Sequence, residues 1–212
     1  MQTFNFNDFL VRQGPLEGVE LFELFDKSII PKPVKDQIWV AGGAIRRTIA
    51  NQPLDTDVDY FFKKGSKSLD FKGLLSQRNE NDVEVLRKTD TATTYVVRYT
   101  NDNQQTSTIK VQEIKVDFYD SIEQLLNTFD FTICQFAYDG ENLHCGDYSL
   151  HDLGRKRLVI NNITYPVASL RRLIKYTQQG YYACQGTMTQ FLETTIDNPH
   201  LLQNTKEISS MD

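Results

Sequence analysis

The sequence predicts an α+β fold: a small mixed sheet with flanking helices and a short helical C-terminal cap. Three observations predict it. A short apolar run, Gln37-Ile-Trp-Val-Ala41, stops at Gly42-Gly43; helix-forming residues 44–51 and a second apolar run, Val58 to Phe62, follow. That is strand, turn, helix, strand. Residues 83–87, 93–100 and 107–116 then have strand character, the last two joined at the polar turn Asn101-Asp102-Asn103. Beyond them helical spacing returns, most clearly over 167–179 before Gly180. Elements in this order pack as one sheet with helices on one side and further helices at the end.

The remaining elements fill in around these. Residues 4–28 carry apolar positions at helical spacing, with Leu21, Phe22, Leu24 and Phe25 as one stripe. The Gly14-Pro15 break predicts two short helices there, and Pro31 and Pro33 end the segment. Residues 67–79 and 120–127 read as helices, Phe129 to Ile133 as a strand, and Leu201 onwards as a frayed polar tail. The expected organisation is an N-terminal helical segment (1–36) packed on a head (37–160), then a short helical cap (161–200) and a flexible tail (201–212).

Composition narrows the function classes. A net charge of −5 argues against a general nucleic-acid coat protein, though it leaves room for a local basic groove. Cys134, Cys145 and Cys184 are far apart with no CxxC pair, so neither a zinc knuckle nor a disulfide framework is expected. Reduced, mostly buried thiols are. The N-terminus is too polar and acidic for a signal peptide, and no apolar run approaches a membrane span. The expected location is the cytoplasm of a cell or of an infected host. His144, His151 and His200 form no ligand spacing and no cysteine has a nearby histidine base, so nucleophilic catalysis is not expected.

The chemistry concentrates in Trp39-Val-Ala-Gly42-Gly43-Ala-Ile-Arg46-Arg47 and Asp55-Thr-Asp57-Val-Asp59. A strand that ends in two glycines and opens a helix lets backbone approach a phosphate closely, and the helix start favours an anion. Asp57 and Asp59 stand two apart on a strand, so their side chains leave the same face. Two converging carboxylates are costly without a cation between them, and hard oxygen ligands suit Mg²⁺ or Mn²⁺. Each feature also has a plain alternative, a simple turn or a solvated acidic loop. The acids run directly into Val58, Tyr60, Phe61 and Phe62, however, which draws them towards the core.

At these residues the chain resembles the head domain of the polymerase-β-like nucleotidyltransferases, in the branch of the bacterial tRNA CCA-adding enzymes and poly(A) polymerases. That family carries a Gly-Gly-x-x-Arg-Asp turn ahead of an Asp-x-Asp strand, matched here by Gly42, Gly43, Arg46, Asp57 and Asp59. Arg47 stands where the family has aspartate, and Asp55 offers an alternative Asp55-x-Asp57 register. Phe129-Asp130-Phe131-Thr132-Ile133 resembles the family's segment near the incoming ribose, and Asp152-Leu153 with Arg157-Leu158-Val159-Ile160 a second segment. The helix bearing Arg171, Arg172 and Lys175 resembles one that reaches towards phosphates and base.

The resemblance implies a metal-dependent enzyme using Mg²⁺ or Mn²⁺. It would move a nucleoside monophosphate from an NTP to an acceptor hydroxyl and release pyrophosphate. The acceptor would be an RNA 3′ end, of tRNA-like kind, ahead of a protein side chain or small molecule. It assigns Gly42, Gly43, Arg46, Asp130, Arg171, Arg172 and Lys175 to the nucleotide, and Asp57 and Asp59 to the metal and catalysis. The family's third acid falls on Glu113 or Asp117, with Glu113 preferred. The chain stops about thirty residues after the Arg171 helix, which leaves little room for a tRNA-holding body and suits a phage-like, pared-down head. The competing expectation is a non-catalytic nucleotide-binding or protein-interaction module on the same fold.

Overall fold

A computed structural model describes residues 1–6, 8–9, 20–66, 70–76 and 82–202. The whole segment 10–19 with its Gly14-Pro15 break, residues 67–69 and 77–79 of the expected helix, and the tail from residue 203 lie outside the described residues. The fold is α+β, with helices packed around a mixed sheet.

The sheet is built from β1 (Gln2–Asn5), β2 (Ile38–Ala41), β3 (Val58–Phe62), β4 (Asp82–Lys88), β5 (Ala92–Thr100), β6 (Thr106–Ile114), β7 (Phe136–Tyr138) and β8 (Asn142–Cys145). Its order is β1-β8-β7-β2-β3-β6-β5-β4. Only the β3–β6 pair in it is parallel. Helices α1 (Glu20–Asp26), α2 (Gly43–Ile49), α3 (Phe71–Ser76), α4 (Ile122–Asn127), α5 (Ser149–Gly154), α6 (Pro166–Gln178) and α7 (Gln185–Asp197) surround it. A parallel pair, β9 (Arg157–Leu158) with β10 (Tyr182–Ala183), ties the region after α5 to the end of α6.

Strand alternation sorts the side chains of β3 into two cores. Val58, Tyr60 and Phe62 enter a large cluster with Leu21, Phe25, Ile45, Phe131, Phe136, Tyr176 and Phe191. Phe61 points the other way, into a smaller cluster with Trp39, Ala41, Ala92, Ile114, Tyr119, Leu125 and Leu126. Helix α4 supplies the two leucines, so helices cover both faces of the sheet centre rather than the single side expected.

Two elements differ from the sequence reading. Gln2–Asn5 is a strand, not the start of a helix, because it pairs antiparallel with β8, Gln2 opposite Cys145 and Asn5 opposite Asn142. A partner about 140 residues away leaves no trace in local periodicity. Residues 129–133 form no strand either: Phe131 makes a lone bridge to Ile160, and Thr132–Cys134 form a 3₁₀ turn. Side-chain anchors draw this segment out of the extended state. The Thr132 hydroxyl donates to Asp152 Oδ2 at 2.8 Å and Arg172 Nη1 donates to Asp130 Oδ2 at 2.8 Å.

The β7–β8 turn rests on a buried acid, Asp139. Burial pushes its carboxyl up, but His144 Nε2 at 2.9 Å and the backbone N–H groups of Asn142 and Glu141 outweigh that and hold it well below the usual carboxylate range. A depressed carboxyl stabilises the fold above its unfolded value, and the contribution is lost as pH falls. Asp139→Asn is expected to lower stability at pH 7 and to flatten the acid limb of unfolding between about pH 4 and pH 2. Urea titrations of both proteins across that range check it.

Candidate active site

The site grows from the junction of β2, α2 and β3. Ala41 pairs with Asp59 across the two strands, so the turn that follows Ala41 stands next to the carboxylates. Gly42 adopts φ +82° and ψ −129° as it caps α2, a conformation open to glycine and strained for any side chain. A Cβ there would also stand 3.2 Å from the Phe129 ring, and one on Gly43 would stand 3.3 Å from Thr56 Oγ1. Gly42 is buried beneath the Phe129 ring and Gly43 half-buried beside Thr56, so a side chain at either position would crowd its neighbour. Gly42→Ala is expected to cost about 1–3 kcal/mol from the backbone strain alone, read as a lower urea midpoint with unchanged slope.

Asp59 leaves β3 on the face opposite Val58 and Tyr60, and Asp57 stands immediately before the strand; both are half-buried. Burial first, and then the charge on Asp57, push the Asp59 carboxyl up to about 7. Arg172 and Lys175 on α6 lie close enough to pull it back down. The structure thus brings four of the expected residues together, two acids and two bases. Asp55 is not among them: it lies exposed on the preceding loop, with Arg47 Nη2 at 3.8 Å.

A third acid does not join them. Glu113 has the strand phase of Ile109 and Val111, which face the large core, and its Oε2 accepts from Tyr95 Oη at 3.0 Å and pairs with Lys115 Nζ at 3.0 Å. Asp117 is exposed beyond the strand, accepting from the Phe118 N–H. The β6 residue that lies on the carboxylate face is Gln112, opposite Asp59 in the register, and its Nε2 donates to Asp57 Oδ2 at 2.5 Å.

The other expected nucleotide residues are placed as follows. Arg172 is a hinge between two acids, ion-paired to Asp130 while near Asp59. Asp130 is buried in that pair rather than open to a ribose hydroxyl. Arg46 is only 2% exposed and turned into the space between α2 and α6. Its guanidinium carbon lies 4.6 Å from the Tyr176 ring centre and 5.1 Å from that of Tyr181, with Nη2 donating to Gln179 Oε1 at 3.1 Å. That arrangement makes it a pin between two helices. Arg171 and Lys175 are exposed on α6.

Whether a divalent cation fits is decided by this donor set. Two carboxylates, one of them raised to about 7 by burial and then by the charge of the other, favour a cation between them. Mg²⁺ is commonly held by one or two carboxylates with substrate phosphates and waters completing its shell. Among the described residues no group of three or more His, Cys, Asp or Glu side chains converges on one point. The pair fits a cation shared with a ligand, not a cage. The thiols of Cys134 and Cys145 are pushed by burial up to about 11 and about 12, which keeps them protonated.

The mixed sheet with its flanking helices is similar in fold to the nucleotidyltransferase head of CCA-adding enzymes. A CCA-adding enzyme in complex with CTP superposes with a TM-score of 0.61 at 15% identity, over 96% of this chain and 49% of its own. The same enzyme type with ATP gives 0.60 at 15% identity, over 96% and 49%. The Thermotoga maritima CCA-adding enzyme complexed with tRNA gives 0.58 at 17% identity, over 96% and 48%.

The chain belongs to the Gabija anti-defense 2 family (Gad2), whose model matches residues 19–156. A similar protein, the Gabija anti-defense 2 of Bacillus phage SPbetaL7, is 26% identical over 185 residues. That alignment takes in 85% of this chain and 43% of the phage protein, so the chain spans less than half the length of the relative it matches. No helix among the described residues is long and apolar enough to cross a membrane.

Proposed function

We propose that this chain transfers a nucleoside monophosphate from an NTP to an acceptor hydroxyl, an RNA 3′ end foremost, and releases pyrophosphate. One observation carries the reading: Asp57 and Asp59 stand side by side next to the Gly42-Gly43 turn, with Arg172 and Lys175 of α6 close to Asp59. That is negative charge for a cation, a side-chain-free turn for phosphates and positive charge for the same phosphates, in one place. The structures of CCA-adding enzymes with CTP, ATP and tRNA support the substrate class.

In this reading Gly42 and Gly43 let the triphosphate lie against backbone, while Lys175 and the outer edge of Arg172 orient its charged oxygens. Asp57 and Asp59 hold the divalent ion, Mg²⁺ or Mn²⁺, which when bound would supply the charge that stabilises the departing pyrophosphate. The acceptor oxygen bonds to the α-phosphorus, the bond to the β-phosphate breaks, and the hydroxyl proton leaves to a carboxylate or solvent. Proton and cation compete for Asp59, because its carboxyl titrates near neutrality when empty. Transfer at limiting cation should therefore rise with pH through about 7.

A second reading, a nucleotide-binding module without turnover, is favoured by one observation: Gln112 rather than an acid stands beside the pair. Incubation with each α-labelled NTP, Mn²⁺, total RNA and a protein extract separates the two. Label on RNA supports the proposal as stated; label on protein moves the acceptor to a side-chain hydroxyl, which the family's anti-defense name favours. Nucleotide bound without any label transferred supports the module.

A further inference from the structure

We infer, resting on the transfer reading above, that the β5–β6 face beyond Asp57 carries the acceptor, and that Lys110 binds a backbone phosphate of an RNA 3′ end there. Strand order sets the geometry. β3 lies between β2 and β6, with Asp59 opposite Ala41 on one side and opposite Gln112 on the other. The Gly42-Gly43 turn therefore stands on one flank of the acids and β6 on the other. In-line displacement puts the attacking oxygen and the departing pyrophosphate on opposite sides of the α-phosphorus. A pyrophosphate that leaves towards the glycine turn calls for an acceptor that arrives over β6 and β5.

The side chains on that flank suit an anionic strand. Gln112 donates to Asp57, so its side chain shares the face of the acids, and alternation puts Lys110 and Thr108 on the same face. Across the ladder Gln112 pairs with Thr94, Lys110 with Val96 and Thr108 with Arg98. Gln112 and Thr94, nearest the acids, are each 8% exposed. Further out Lys110 and Thr108 are exposed, and Val96 and Arg98 half-buried. The Arg98 guanidinium is held by Glu84 at 2.7 Å. The Lys110 ammonium, one step along β6 from the residue that touches Asp57, has no hydrogen bond or ion pair among the described residues. A cation among amide, hydroxyl and apolar groups fits a phosphodiester, whose charge supplies most of the affinity of a nucleic-acid strand. A serine or threonine hydroxyl on a protein brings no such charge to Lys110.

RNA binding tests this apart from turnover. The full chain would be titrated into a short fluorescein-labelled single-stranded RNA with a free 3′ hydroxyl, with Mn²⁺ and a non-hydrolysable ATP analogue present, and followed by fluorescence anisotropy. Lys110→Glu should weaken RNA binding about 10-fold and flatten the slope of log affinity against log salt by about 0.7. Lys72→Glu makes the same charge change on α3, which packs on the large core behind the sheet. Distance and salt should keep its RNA affinity within about 2-fold of wild type. Affinity for the ATP analogue alone should not separate the three proteins, since Lys110 lies on the flank away from the triphosphate. Equal RNA affinity in Lys110→Glu and Lys72→Glu would overturn the inference and leave the transfer reading standing. So would a wild type that binds the analogue but no RNA, which would turn the acceptor face over to a protein. A wild type that binds no analogue would overturn both.

Discussion

Replacing Asp59 by asparagine will reduce nucleotidyl transfer by about 10³-fold or more, yet it will make the metal-free protein more stable at pH 8. Both effects have one cause. The Asp59 carboxyl is pushed up to about 7, first by burial and then by Asp57, so its ionised form is tolerated poorly in the empty site. An acid whose folded value lies above its unfolded value near 3.8 leaves the fold most stable at low pH, and that advantage is lost as pH rises from about 4 to about 7. Asparagine removes the charge and with it this pH dependence. Thermal melts of the two metal-free proteins should therefore lie closest below about pH 4 and separate as pH rises to about 7, with the asparagine variant melting higher at pH 8. Added Mg²⁺ should raise the wild-type melting temperature at pH 8 and leave the variant unmoved. A variant less stable than wild type at pH 8 would mean that the acid is a structural partner instead.

The largest loss of stability is expected at Arg172. Its Nη1 donates to Asp130 Oδ2 at 2.8 Å, and Asp130 is only 6% exposed. Arg172→Ala strands that carboxylate in the core, a change that typically costs about 3–5 kcal/mol. Asp130→Asn in the same chain should recover much of the cost by removing the orphaned charge, so the double variant will be more stable than Arg172→Ala alone. Transfer will not recover with it, because Arg172 also faces Asp59 and the phosphates proposed there. Urea unfolding of the single and double variants, with initial rates measured in parallel, separates the structural from the functional role of one side chain.

Much of this was legible in the residues. The strand, glycine turn, helix and strand at 37–62, the hairpin closing at Asn101-Asp102-Asn103 and the Arg171 helix all declare themselves through period and turn chemistry, which are local properties. The pairing of Asp57 with Asp59 follows from strand alternation alone. What escaped was set by distant partners. The strand at Gln2–Asn5 exists because β8 is beside it, and residues 129–133 turn because Asp152 and Arg172 hold them.

Gln112 is a different case, since the signal was present. Glu113 shares the phase of Ile109 and Val111, whereas Asp57 and Asp59 stand out of phase with Val58 and Tyr60. The residue of β6 that faces those acids had to be out of phase with its own apolar neighbours, and that is Gln112. Charge alone points to Glu113; strand phase points to Gln112. Arg46 offered no such clue: an arginine on the first turns of a helix reads the same whether it meets a phosphate or two tyrosine rings.

The central claim is that the Asp57–Asp59 site cleaves between the α- and β-phosphates of an NTP. The most direct measurement gives the protein α-labelled ATP in one reaction and γ-labelled ATP in another, with Mn²⁺ and cellular RNA and protein present, beside Asp59→Asn. The α-label is expected to enter macromolecules and the γ-label to appear only as pyrophosphate, with neither seen for the variant. Label entering from the γ-position, or α-label incorporated equally by Asp59→Asn, would contradict it.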